Sequence, residues 1–187
     1  LQRLLATARG CFSALALTAN VLFFCTLMIP VALAKLAVSY RPARQVIDRM
    51  LNWIAMSWIG VNNAWIAAAG NGGWQVSGID GLRRDEWYLI AANHQSWVDI
   101  LVLQKVFSGR VPMLKFFLKR QLIYVPVIGL AWWALDFPFM QRKGGMSSAR
   151  DLERARQACE KFRLVPTSVI NFLEGTRFTQ HKHKTQR

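Results

Sequence analysis

Residues 11–34, CFSALALTANVLFFCTLMIPVALA, run without a single charged side chain, and no other stretch restricts the fold of this chain so tightly. As a helix the run would be roughly 36 Å long, enough to cross the hydrocarbon core of a bilayer. A secretory signal has a shorter apolar region, about 7 to 15 residues, and ends in a small-residue cleavage site; neither is found here. The run reads as a retained membrane element, with Pro30 placed to kink it. A second stretch, residues 44–69, sets Val46, Ile47, Met50, Leu51, Ile54, Trp58 and Ile59 against Asp48, Arg49, Asn52 and Asn62. That is an amphipathic helix, with Trp53, Trp58 and Trp65 either at the lipid boundary or packed in a core. Arg3 and Arg9 precede the first run and Lys35, Arg41 and Arg44 follow it, so the positive-inside bias selects no orientation. Two arrangements fit: a span followed by an interfacial helix, or a hairpin dipping into one leaflet with both ends on the cytoplasmic side.

The net charge is +14, of which +4 falls before residue 81 and +10 after it. A surface this basic attracts anionic lipid headgroups, phosphorylated substrates or nucleic acid. Nucleic acid is set aside as a partner, because the basic residues are scattered among apolar runs and no nucleic-acid motif is present. Cys11, Cys25 and Cys159 are odd in number and far apart. They read as small buried hydrophobes of a reducing compartment. His181 and His183 read as exposed loop residues, and no metal is assigned. The chain opens on Leu1 rather than Met and is expected to be a piece of a longer protein.

Gly70-Asn71-Gly72-Gly73 is a linker of turn residues and divides the chain into membrane-anchoring helices, 1–70, and a second domain, 71–187. In that domain the periodicity shortens. Strands are predicted at 74–76 and 88–92 and a helix at 96–107, with residues 112–116 after it. A basic cluster follows at Lys115, Lys119 and Arg120, then an apolar stretch, 124–134, around Pro126 and Gly129. A strand is expected at 137–141. Residues 147–162 form an amphipathic pattern, capped by Ser148 and Asp151, with Leu152, Ala155, Cys159 and Phe162 at helical spacing. A strand at 168–173 closes the series. Alternating strands and helices indicate an α/β layered domain preceded by a helix pair.

At residues 88–103, YLIAANHQSWVDILVL, the predicted strand runs into Asn93-His94 and then into a helix. His94 and Asp99 are five residues apart, about 140° around a helix, so they converge only if His94 lies just before the helix and Asp99 in its first turn. There a carboxylate could hold one imidazole nitrogen while the other takes a proton from a substrate hydroxyl. The same residues spell a capping box, with Ser96 as the cap and Asp99 reaching back to a backbone donor. The two readings are compatible.

Glu174-Gly175-Thr176-Arg177 stands at the end of the last predicted strand. Gly175 permits close backbone approach, Thr176 offers a hydroxyl, and Arg177 carries a planar fork suited to a phosphate. A strand-end turn with a surface ion pair accounts for the same four residues.

Together these stretches resemble the glycerolipid acyltransferases, the family of 1-acylglycerol-3-phosphate and related lysophospholipid acyltransferases. The His-x4-Asp block is matched by His94 to Asp99. A second block is similar to Lys119-Arg120-Gln121-Leu122 followed by Pro126 and Gly129, with the strand ending at Arg142. The third is the turn from Glu174 to Arg177. Leu173 stands where the family often has Pro, and Met140-Gln141-Arg142 where it often has Ile-Asp-Arg. These departures resemble the branch that includes lysocardiolipin and lysophosphatidylinositol acyltransferases. The family's fourth, apolar block is expected beyond Arg187.

The resemblance implies a membrane-bound enzyme that moves an acyl chain from acyl-CoA or acyl carrier protein to the free hydroxyl of a lysophospholipid, 1-acylglycerol-3-phosphate foremost. His94 would be the general base and Asp99 its orienter. Lys119, Arg142, Glu174, Gly175, Thr176 and Arg177 would hold the phosphorylated acceptor. No cofactor or metal is implied, and the active site would face the cytoplasm. A phospholipid transacylase using the same His94 and Asp99, or a non-catalytic module docking on anionic membrane, would carry the same features.

Overall fold

The computed structural model describes residues 2–69, 74–96, 98–140, 153, 156–157, 159–160, 162 and 165–172. Its elements, in chain order, are α1 (Gln2–Ala37), α2 (Arg41–Ala69), β1 (Tyr88–Ala92), α3 (Val98–Phe107), β2 (Leu114–Phe116), β3 (Leu118–Lys119), a 3-10 turn (Arg120–Tyr124), α4 (Ile128–Ala134), β4 (Phe139–Met140) and β5 (Ser168–Phe172). The chain divides into two compact units, residues 1–74 with 121–136, and residues 75–120 with 137–187.

The first unit is helical. The uncharged run forms the middle of α1, and the helix extends past it at both ends to take in Arg3, Arg9 and Lys35. Only 11% of its most apolar 18-residue window is buried, and by length and composition α1 is long and apolar enough to cross a membrane. Phe12, Leu15, Phe23 and Leu33 are more than half exposed. Its buried residues, Cys25, Met28, Ala32 and Lys35, recur at steps of three and four and form one stripe. On α2 the matching stripe is Ile47, Leu51, Ile54, Ala55, Ile59 and Asn62.

The contacts between the stripes run in opposite directions along the two helices. Lys35 meets Asp48 at 2.8 Å, and Asn20 donates to Asn62 Oδ1 at 2.8 Å, so α1 and α2 are an antiparallel hairpin. Trp53 is 70% exposed, whereas Trp58 and Trp65 are half-buried and Trp65 lies 5.5 Å from Phe12. The packing reading therefore holds for Trp58 and Trp65 and not for Trp53. Cys11 is exposed rather than buried.

α4 packs against α1 in the same unit. Lys35 Nζ donates to Ala134 O at 2.8 Å and to Asp136 Oδ2 at 2.7 Å. The turn leading into α4 explains two residues of the second block. Gly129 is buried, and a Cβ there would lie 2.2 Å from Ile123 O, so no side chain fits. Pro126 accepts from Ile128 N at 2.6 Å while Gly129 N donates to Val125 O at 2.8 Å, which closes the turn on itself.

The second unit holds a parallel three-stranded sheet, order β1-β5-β2, and a two-stranded pair, β3-β4. Tyr88 through Ala92 pair in register with Ser168 through Phe172, and Leu114 and Phe116 pair with Ser168 and Ile170. Ser168 and Ile170 of the central strand are 0% and 1% exposed, as expected of a strand flanked on both edges. Val111, Leu114, Phe116, Phe137 and Phe162 complete the core.

Residues 74–76 are not a strand. Trp74 and Val76 are exposed at 45% and 41%, and β-propensity without a partner edge does not make a strand. Of the predicted strand at 137–141, residues 139 and 140 form β4 and pair with Leu118 and Lys119, residues 137 and 138 are irregular, and residue 141 lies outside the described residues. In the predicted helix 147–162, described residues 153, 156, 157, 159 and 160 are helical; Ser148, Asp151, Leu152 and Ala155 lie outside the described residues.

Candidate active site

β1 delivers the chain to His94. Ala92 is its last residue, 93–95 are irregular, and α3 begins at Val98. Ser96 caps that helix, its Oγ accepting from Val98 N at 3.1 Å. Asp99 reaches back from the first turn, its Oδ2 accepting from Gln95 N at 2.6 Å and Ser96 N at 2.7 Å. The same oxygen lies 3.0 Å from His94 Nδ1. Capping box and imidazole partner are therefore one structure, in which the helix start fixes the carboxylate and the carboxylate holds the ring.

The electrostatics follow from this geometry. The Ser96 backbone N–H, chiefly, holds the Asp99 carboxyl below the usual carboxylate range; burial, the next largest effect, opposes it, and the Gln95 N–H and the His94 ring add to the lowering. A first-turn position also favours negative charge. With an ionised carboxylate as acceptor, Nδ1 carries the proton, so Nε2 is the basic nitrogen of the neutral ring. The His94 and Asp99 side chains are 17% and 25% exposed, shielded yet reachable.

A third side chain completes the arrangement. Phe172 ends β5 level with Ala92, and its ring stacks on the His94 imidazole with centroids 4.1 Å apart and planes 22° apart. The local pattern around residue 172 showed a strand but gave no sign of this contact. The pairing of β1 with β5 creates it, across 78 residues of chain.

Of the other expected site residues, Lys119 is the exposed last residue of β3. Arg142, Glu174, Gly175, Thr176 and Arg177 lie outside the described residues. Lys115, from the same basic cluster, places its Nζ 4.7 Å over the ring of Phe162, a cation resting on an aromatic face.

A strand-to-helix junction here presents a carboxylate-held imidazole beside a parallel sheet. The family model described as Acyltransferase matches residues 73–187, and the chain belongs to the acyltransferase family. It is 33% identical over 102 residues to 1-acyl-sn-glycerol-3-phosphate acyltransferase 3 of Arabidopsis thaliana, covering 52% of this chain and 26% of that protein. To the delta form of 1-acyl-sn-glycerol-3-phosphate acyltransferase from Homo sapiens it is 31% identical over 102 residues, covering 51% and 25%. The match thus spans about a quarter of the length of these curated relatives. In fold it is similar to the crystal structure of the 1-acyl-sn-glycerophosphate (LPA) acyltransferase PlsC from Thermotoga maritima, with a TM-score of 0.61 at 18% identity, over 96% of this chain and 65% of that one.

Proposed function

We propose that this chain carries the catalytic base of a membrane-bound acyltransferase. It would move a fatty acyl chain from acyl-CoA or acyl carrier protein to the free hydroxyl of a lysophospholipid, 1-acylglycerol-3-phosphate foremost. The observation that carries the reading is the 3.0 Å contact of His94 Nδ1 with an Asp99 carboxylate that two backbone N–H groups already hold. Nε2 takes the hydroxyl proton as the acceptor oxygen attacks the thioester carbonyl. Asp99 stabilises the imidazolium that forms. When the tetrahedral adduct collapses, the carbon–sulfur bond breaks and the proton passes from Nε2 to the departing thiolate. No covalent acyl-enzyme is required.

Lys119, Arg142 and the turn Glu174-Gly175-Thr176-Arg177 would bind the acceptor's phosphate. Arg177 would supply the bidentate fork, and Glu174 would position it or a glycerol hydroxyl. The turn follows Phe172 closely in sequence, and Phe172 is the residue that touches His94, which supports placing acceptor and base together. The exposed apolar surface of α1, with basic residues at either end, supports membrane association, and we place the site on the cytoplasmic side.

The test is thiol release from acyl-CoA and acyl carrier protein across a panel of lysophospholipids, lysocardiolipin and lysophosphatidylinositol included. His94→Ala is expected to stay folded and membrane-bound while transfer falls about 10²- to 10⁴-fold. Undiminished transfer would remove His94 from the mechanism. Product formed only from a phospholipid donor would indicate a transacylase, and lipid binding with no product at all a docking module.

A further inference from the structure

We infer that Phe172 is a positioning residue for His94, holding the plane of the imidazole while Asp99 holds its Nδ1 end; this rests on the reading of His94 as the base. The contact with Asp99 fixes where Nδ1 points. The last torsion of a histidine side chain has a broad energy well and by itself resists rotation of the ring weakly. A second ring stacked at 4.1 Å and 22° opposes that rotation, because turning the imidazole would drive its edge into the phenyl face. Nε2 then has one direction rather than an arc of them, which is what proton transfer to a positioned hydroxyl requires.

Phe172 is itself anchored to the interior of the sheet. Ile170 and Phe172 project from the same face of β5, being two residues apart on a strand. Phe116 pairs in register with Ile170, and its ring lies 6.2 Å from that of Phe172 with the planes only 8° apart. Phe116, 7% exposed, in turn lies 6.2 Å from Phe137 at 20°. A row of near-parallel rings therefore runs from the core to the imidazole, so the orientation of the base is referenced to buried strands and not only to the loop that carries it. Phe172 has no group that could exchange a proton, and its ring touches that of His94.

The test uses detergent-solubilised full chain with three variants. Phe172→Leu keeps an apolar side chain but loses the plane, Phe172→Tyr keeps the plane, and Ile170→Val perturbs the same strand without touching His94. For Phe172→Leu, kcat is expected to fall about tenfold to a hundredfold, with KM for donor and acceptor within about twofold of wild type. Phe172→Tyr is expected to restore kcat, and Ile170→Val to leave it near wild type at a comparable loss of thermal stability. With only three histidines in the chain, the His94 ring protons can be followed by NMR. Their upfield displacement by the stacked phenyl should vanish in Phe172→Leu and persist in Phe172→Tyr.

A kcat in Phe172→Leu no lower than in Ile170→Val, or His94 ring shifts unchanged by the leucine, overturns the inference. If wild type transfers no acyl chain, it is the reading of the site that fails. The ring shifts then still decide whether Phe172 holds the imidazole.

Discussion

Two ion-pair centres in this molecule are built from similar groups and serve opposite ends. At Lys35 a single ammonium, 3% exposed, is held by Asp48, Asp136 and the Ala134 carbonyl. At His94 the imidazole meets the Asp99 carboxylate, and both side chains keep partial access to solvent. The first joins residues 13 and 101 positions apart and ties α1 to α2 and to the segment after α4. The second joins residues five apart at one helix start. A buried, many-partnered cation fixes a fold. A local pair at a helix start leaves both of its groups partly open to solvent.

The contrast can be broken most severely at Lys35. Replacing it with Met leaves two carboxylates without their shared cation, and the melting transition of the helical unit should fall by the equivalent of about 3 kcal/mol. A Lys35→Met protein as stable as wild type would show that the cation contributes nothing net. Gly129→Ala tests the same unit without touching charge. Its Cβ would press on the Ile123 carbonyl, and a loss of about 1 to 3 kcal/mol is expected from overpacking, read as a lowered denaturant midpoint.

Asp99→Asn probes the other centre, and its effect on stability should be the smallest and the most dependent on pH. Because the folded carboxyl lies below its ordinary 3.8, the ionised form stabilises the fold at pH values above 3.8. That contribution is lost as pH falls through the lower folded value. The gap in melting temperature between wild type and Asp99→Asn should therefore persist from neutral pH to about 5 and close toward pH 3. Acyl transfer should fall in this variant at every pH. A gap that widens in acid would reverse the sign assigned to Asp99.

The same contrast explains what could be read from the sequence. The pair at 94 and 99 was legible because all its parts are local: a strand, a capping serine and a first-turn carboxylate within a dozen residues. Gly129 and Pro126 were legible as members of a spaced block, although the close approach that demands glycine comes from the backbone at Ile123. Lys35 read only as one of the charges flanking an apolar run, since Asp136 comes near it only through the packing of α4 on α1. Phe172 was legible as a strand residue and illegible as the neighbour of His94, because strand order in a parallel sheet is not written in any one strand. Residues 74–76 err in the other direction. Tryptophan and valine there satisfy strand preference, but among the described residues the sheet uses β5, not this segment, as the neighbour of β1.

The Lys35 centre also acts as a register key for the hairpin. Sliding α1 along α2 by one turn, about 5.4 Å, would carry the ammonium away from Asp48 and break the Asn20–Asn62 hydrogen bond, while the apolar residues of the stripe could re-engage with little loss. Apolar surfaces alone would tolerate several such offsets; two polar detents at opposite ends of the hairpin permit a single one. Force acting on the amino-terminal helix should accordingly shift the pair as a rigid body instead of shearing one helix past the other.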